Sequence, residues 1–158
     1  MYPALDIAYY IIDRANEKNY ANLNCYWLQK ILYLVQAYFL IKTRKPCFPE
    51  PILKYDFGPV VQNVYDDLKK FGVGYIPKLT RQYVVPDRNR PCNFHVREYD
   101  PNDIRKRDRK RIDTVVDYFA DYANPGLNRL VFGQDPFIQT RNGDVIGLDV
   151  IRNYFMAG

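Results

Sequence analysis

Residues 25–43 read CYWLQKILYLVQAYFLIKT, and the spacing of their apolar side chains predicts a helix that is apolar on nearly every face. One stripe repeats at i, i+3, i+4, i+7 and i+11 and consists of Leu28, Ile31, Leu32, Val35 and Phe39. The helix is predicted to begin near Asn22 or Asn24, either of which can cap it, and to end at about Thr43. Because an all-apolar helix is normally central, we expect the domain to be built around it.

Proline and glycine residues divide the chain on both sides of this helix. A first helix is predicted over 3–18, since Pro3 suits the first turn of a helix. After the central helix, an extended connection carries a short strand over 52–57. Pro59 then opens a helix over 59–71, which Gly72 stops.

The second half of the chain predicts two strands followed by helices. The strands, 83–85 and 94–99, form a small β-hairpin over about 82–99. Helices are predicted over 101–123, 127–132, 136–140 and 148–156. The whole pattern indicates one domain, residues 1–158, of the α+β class and mainly α, built around the helix at about 24–43.

Missing residue types exclude several classes of function. The chain has no serine, which excludes serine-nucleophile hydrolases, and its one histidine, His95, excludes multi-histidine metal sites. Three widely spaced cysteines, Cys25, Cys47 and Cys92, favour a reducing compartment over a disulfide framework. No phosphate-binding glycine loop is present. We therefore predict no catalytic, cofactor-binding or metal-binding residues, and we do not expect an enzyme.

The start of the chain lacks the pattern of a secretory signal, because Asp6, Asp13 and Arg14 interrupt it. The longest apolar stretch, 31–41, contains Gln36 and is too short to span a bilayer. We therefore expect a soluble, cytoplasmic protein without a membrane partner.

Two ordered motifs resemble a known family, the Panacea antitoxin domain, also called SocA-like or phage-associated. The first reads LQKILY over 28–33, and the second reads FGPVV over 57–61 and continues through Tyr65. The residues that match the family's motifs are Leu28, Gln29, Lys30, Tyr33, Gly58, Pro59 and Tyr65. In the second half, Val131-Phe132 and Pro136-Phe137 stand where the family often has Thr-His and Pro-Trp pairs, so no role of that histidine carries over.

This resemblance implies a mostly helical domain that acts by binding a protein. Members of the family neutralise toxins or act as adaptors that present a toxin to a protease, and many are encoded by phages or prophages. The leading hypothesis is accordingly an antitoxin, and one alternative is a phage protein that blocks another host or defence protein.

The polar residues of the central helix have a structural interpretation. Lys30 is expected to have its stem covered and its amine directed to solvent or to an internal carboxylate of Asp13, Asp66 or Asp67. Gln29 is expected to form an internal hydrogen bond rather than to contact a partner.

Aromatic residues make up 16% of the chain, including fifteen tyrosines, which is more than one small core needs. Tyrosine is enriched at protein interfaces, where a few buried anchors provide most of the affinity. The exposed members of Tyr9, Tyr10, Tyr20 and Tyr65 are therefore the candidate partner-binding residues.

Residues 105–111 read RKRDRKR, the one dense charge run in a chain of net charge +5. Arg105, Lys106, Arg109 and Lys110 are candidate contacts to a polyanion, which makes a nucleic-acid-associated protein the other alternative. A solvated helix end is favoured, because Asp100, Asp103, Asp108 and Asp113 lie close enough in sequence to pair with these cations.

Overall fold

The computed structural model describes residues 1–80, 82–87, 89–90 and 92–158. Its helices are α1 (Ala4–Glu17), α2 (Cys25–Thr43), α3 (Gln62–Leu68), α4 (Lys106–Phe119), α5 (Asn124–Phe132), α6 (Asp135–Gln139) and α7 (Leu148–Ala157). Its strands are β1 (Ile52–Tyr55), β2 (Gly58–Val61), β3 (Gln82–Pro86) and β4 (Phe94–Glu98). The predicted fold class, α+β and mainly α, is confirmed.

Helix α2 lies at the centre of the hydrophobic core, as its apolar faces predict. The side chain of Asn24 caps the helix by accepting a hydrogen bond from the Trp27 amide at 2.9 Å, and Arg44 ends it at φ +59°. Helices α1, α3, α4, α5 and α7 and strand β2 all pack against α2. The indole nitrogen of Trp27 donates to the carbonyl of Tyr122 at 3.1 Å, which ties α2 to the segment after α4.

The helix predicted to open at Pro59 begins only at Gln62, and a strand takes its first residues. Strands β1 and β2 form an antiparallel hairpin in which Lys54 pairs with Pro59 and Tyr55 with Gly58. Proline is compatible with both a helix start and an outer strand, so its presence alone did not distinguish them. Residues 143–146 run beside β1, where Lys54 and Asp144 share a backbone hydrogen bond of 2.9 Å.

The second hairpin is confirmed near its predicted position. Strands β3 and β4 are antiparallel, with Val84 opposite Val96 and Pro86 opposite Phe94. Arg97 attaches the hairpin to the helices through ion pairs of 3.0 Å with the buried Asp6 and with Asp103. The predicted hairpin also includes Arg88 and Pro91, which lie outside the described residues.

Helix α4 is shorter than the predicted range of 101–123. Residues Pro101–Asp103 form a separate 3-10 turn, and the α-helix starts at Lys106 and ends at Phe119. The extended backbone at Ile104 and Arg105 separates the two, so the basic run begins just before the first turn of α4. Among the described residues, no helix is long and apolar enough to cross a membrane.

Candidate functional site

An aromatic cluster surrounds the tip of the first hairpin. Phe57 lies in the turn between β1 and β2, and its ring contacts three tyrosine rings, with centroid distances of 5.6 Å to Tyr26, 5.7 Å to Tyr55 and 5.7 Å to Tyr65. The side chain of Phe57 remains 39% exposed, while the three tyrosines are half-buried. The cluster therefore presents aromatic surface to solvent on a rigid base formed by α2, α3 and the hairpin.

Gly58 makes the turn that holds Phe57 in this position. Its φ is +130°, a conformation that side chains disfavour. A Cβ atom here would lie 3.4 Å from Cε of Lys30 and 3.6 Å from Cε1 of Phe132, which is ordinary contact. The backbone conformation, rather than lack of space, is what requires glycine.

Replacing Gly58 with alanine should therefore lower the free energy of unfolding by about 1–3 kcal/mol, the usual range for a strained backbone conformation. Chemical denaturation measures this directly. Gly126→Ala is the matched control, because Gly126 lies in α5 without a positive φ, and we expect that change to be neutral or stabilising. A Gly58→Ala variant as stable as the parent would contradict the turn geometry described here.

Gln29 joins α2 to the first hairpin. Its side-chain oxygen accepts from the amide of Val61 at 2.8 Å, and its side-chain nitrogen donates to the carbonyl of the same residue at 3.4 Å. The buried amide thus pairs with β2 as a neighbouring strand would, which is the internal hydrogen bond that the sequence predicts for Gln29.

Lys30 lies beneath the hairpin turn, one helical turn after Tyr26. Its side chain is only 2% exposed, and Nζ donates to the carbonyl of Tyr26 at 3.3 Å. No carboxylate within the described residues forms an ion pair with it, so neither the expected route to solvent nor the expected acidic partner is present. Burial disfavours the charged amine and lowers the pKa of Lys30 from 10.5 to about 8.

The remaining motif residues lie around Gln29 and Lys30. Leu28 and Tyr33 are fully buried, and the Tyr33 hydroxyl donates to Oε1 of Gln134 at 2.9 Å. Pro59 is buried in β2. Both motifs therefore build the base of one region, with the aromatic cluster as its exposed part.

Tyrosine hydroxyls also form a polar seam between residues 2–20, which include α1, and helix α4. The seam consists of Tyr2 donating to Asp108, Tyr10 donating to Asp113 at 2.7 Å, and Tyr20 donating to Asp117 at 2.8 Å. Arg14 adds two hydrogen bonds to Asp117, of 2.6 and 3.0 Å, and this contact lowers the pKa of the Asp117 carboxyl. Part of the tyrosine excess is thus used to fasten α1 to α4.

The four candidate tyrosine anchors differ in exposure. Tyr9 is buried, with its hydroxyl on Asp67 and its ring 5.8 Å from that of Tyr99, so it is not among the exposed members. Tyr10 and Tyr20 are half-buried, with hydroxyls engaged in the seam. Tyr65 is also half-buried, and it alone of the four belongs to the aromatic cluster.

The cations of the basic run spread over several faces of α4. Arg105, Lys106 and Lys110 are exposed, whereas Arg109 is half-buried beside Asn102, with Nη1 3.4 Å from its side-chain oxygen. Arg105 lines a cavity that it shares with Arg107, Arg111 and two lysines at the end of α2, Lys42 and Lys45. Of the four polyanion candidates, Arg105 alone lines this cavity, while Lys106, Arg109 and Lys110 are neighbours on α4 at the helical spacings i, i+3 and i+4.

A second apolar surface lies on the second hairpin. Val84, Phe94 and Val96 share one face of it, and all three are more than 60% exposed. Within the described chain, β3 and β4 pair only with each other, which leaves both outer edges open. This face is apolar but contains one aromatic ring, whereas the Phe57 cluster contains four.

The aromatic cluster was only partly predictable. Tyr65 was a candidate, but Tyr26, Tyr55 and Phe57 were not, because they come from separate elements. A usable signal was present in the sequence, since Tyr55 and Phe57 come directly before a glycine and a proline, a pair that indicates a turn.

The comparisons with known proteins identify one family. A model of the family described as antitoxin SocA-like, Panacea domain, matches residues 28–136, which include both motifs and three of the four rings of the aromatic cluster, those of Tyr55, Phe57 and Tyr65. No curated protein and no solved structure matches the chain.

Proposed function

Because this chain belongs to the SocA-like Panacea domain family of antitoxins, we propose that it is an antitoxin that binds and neutralises a small protein toxin encoded beside it. It acts by covering the working surface of the toxin or by delivering the toxin to a protease, and it turns over no substrate. In this proposal residues 1–158 form one such domain, encoded by a phage or prophage and active in the cytoplasm.

The observation that carries the proposal is the exposed aromatic cluster. Four rings from α2, α3 and the first hairpin meet at Phe57, directly above the motif residues Lys30 and Gly58, and three of the four lie within the matched residues. Aromatic anchors on a rigid base are the residues that most often dominate protein interfaces. We therefore place the toxin on this cluster, with Phe57 and Tyr65 as its central contacts.

Removing the central ring should weaken toxin binding. Phe57→Ala is expected to cost about 2–3 kcal/mol of binding free energy, because it removes a hot-spot ring and the packing that orients its three tyrosine neighbours. The variant should still fold, since the ring is partly exposed and lies outside the central core. The measurement is calorimetric titration with the purified product of the adjacent gene, beside a growth assay in which the two genes are co-expressed.

Phe94→Ala is the matched control, because it deletes the same ring from the other apolar surface, where Phe94 is 64% exposed. We expect this variant to bind the toxin as the parent does. Loss of binding in Phe94→Ala alone would move the interface to the second hairpin and leave the antitoxin function standing. A neighbouring gene product that is harmless, or that stays toxic despite abundant folded chain, would refute the antitoxin function itself.

A further inference from the structure

A concave site unrelated to the aromatic cluster lies where the end of α2 meets the start of α4. Its cavity has a volume of about 470 Å³ and also borders on Tyr2 in the segment before α1. Five cationic side chains line it, namely Lys42 and Lys45 at the end of α2 and Arg105, Arg107 and Arg111 at the start of α4. Volumes of roughly 300–1,000 Å³ are typical of sites for small molecules.

The single carboxylate in this lining is already occupied. One oxygen of Asp108 accepts from Nη1 of Arg111 at 2.6 Å, and the other accepts from the hydroxyl of Tyr2. Within the described residues, the other four cations form no ion pair. The cavity therefore concentrates positive charge that the folded chain itself does not neutralise.

Two further features favour an anion here over a solvated surface. Helix α4 begins at the cavity, so its first amides, which have no acceptor within the helix, add a positive end to the site. Asp108 holds Arg111 in place from within the lining, which fixes one guanidinium before any ligand arrives. A guanidinium group can donate two parallel hydrogen bonds to the oxygens of one phosphate group.

We propose that this cavity binds a compact polyphosphate, either an inorganic chain or the triphosphate of a nucleotide. A polyphosphate carries several negative charges within a short distance, and the cavity places several cations around one small volume, so the two are complementary in charge. A nucleic-acid strand would need a longer row of cations, whereas the five cations of the cavity come from the adjoining ends of α2 and α4 and enclose one small volume, and Lys106 and Lys110 line no part of it. Binding here is separate from toxin binding at Phe57.

The test uses the full chain and three probes in magnesium-free buffer at about 50 mM NaCl, where screening is weak. The probes are sodium tripolyphosphate, ATP, and a single-stranded oligothymidylate of about 20 nucleotides. Calorimetry should detect one site for tripolyphosphate, and ligand binding to the folded state should raise the melting temperature. Binding of tripolyphosphate without ATP would assign the site to an inorganic polyphosphate. Binding of both would assign it to the triphosphate of a nucleotide.

The decisive variant is Lys42→Gln with Arg107→Gln, which removes one free cation from each wall of the cavity. We expect its affinity for tripolyphosphate to fall at least about tenfold, since both side chains would contact phosphate. The matched control, Lys106→Gln with Lys110→Gln, removes the same charge from α4 outside the cavity and should stay within about twofold of the parent.

Three results would overturn the proposal. The parent chain could show no binding of tripolyphosphate or ATP. Both double variants could lose affinity equally, which would indicate attraction to net charge alone. The oligonucleotide could be the only probe bound, with the control variant affected as strongly as the cavity variant, which would indicate a nucleic-acid surface along α4.

Discussion

Replacing Leu32 with alanine should lower the free energy of unfolding by about 2–5 kcal/mol. Leu32 is fully buried on α2, and α2 is the element against which five other helices and β2 pack. The truncated side chain would leave a cavity that surrounding helices on several sides fill only in part. Denaturant-induced unfolding measures the change. A slope of the transition equal to that of the parent would show that the variant still unfolds in one step.

Leu130→Ala is the matched control, because it makes the same substitution at a leucine of α5 that is 38% exposed. We expect that variant to lose less than about 1 kcal/mol. Similar losses at both positions would show that α2 is not the centre of the core.

The central helix was predictable because the apolar pattern that specifies it lies within the helix itself. Residues 25–43 are apolar on nearly every face of the helix, and such a segment is normally buried at the centre of a small domain. The second hairpin was predictable for a similar reason, since the apolar and β-branched residues at 94–96 lie between turn-forming prolines and asparagines.

Strand β2 was not predictable in this way, because one of its hydrogen-bond partners lies far away in sequence. The amide and carbonyl of Val61 bond to the side chain of Gln29, 32 positions earlier, and the turn depends on a φ of +130° at Gly58. Locally, Gly58 and Pro59 are equally typical of a helix start. In the strand, pairing with β1 and the buried side chain of Gln29 satisfy the backbone of β2.

The roles of the tyrosines and cations were hidden for the same reason. Tyr10 and Tyr20 bond to carboxylates about 100 positions later, and Lys42 meets Arg107 only because α2 ends where α4 begins. Sequence reasoning found the correct residue types on α1 and α4. It could not show which of these residues bond to each other in the seam and which line the cavity with cations that have no ion pair.

Lys30 is a buried charged residue with little compensation. Gln29 and Gln36, on the same helix, have both ends of their amides bonded, to Val61 and to Cys47 and Phe48 respectively. The Lys30 amine has one carbonyl acceptor and no ion pair within the described chain. A charged group in that position lowers the stability of the fold, because its lost hydration is not replaced.

Lys30→Met should therefore stabilise the protein, by about 3 kcal/mol at pH 7. Methionine has a similar shape and no charge, and the pKa of Lys30 falls from 10.5 to about 8 on folding, which sets the size of the gain. Between these two pKa values the unfolded chain keeps a proton that the folded chain has released. The parent therefore gains stability relative to the variant as the pH rises through this window.

The difference between variant and parent should shrink to roughly half of its value at pH 7 by pH 9.5, and denaturation at a series of pH values measures it. Comparing the two proteins at each pH cancels the titration of the other groups, which both share. Lys42→Met, at an exposed position of the same helix, should change stability at pH 7 by less than about 0.5 kcal/mol. If Lys30→Met is destabilising at pH 7, or if its advantage stays constant with pH, the amine is not held in the buried, unpaired environment beneath Gly58 that the structure describes.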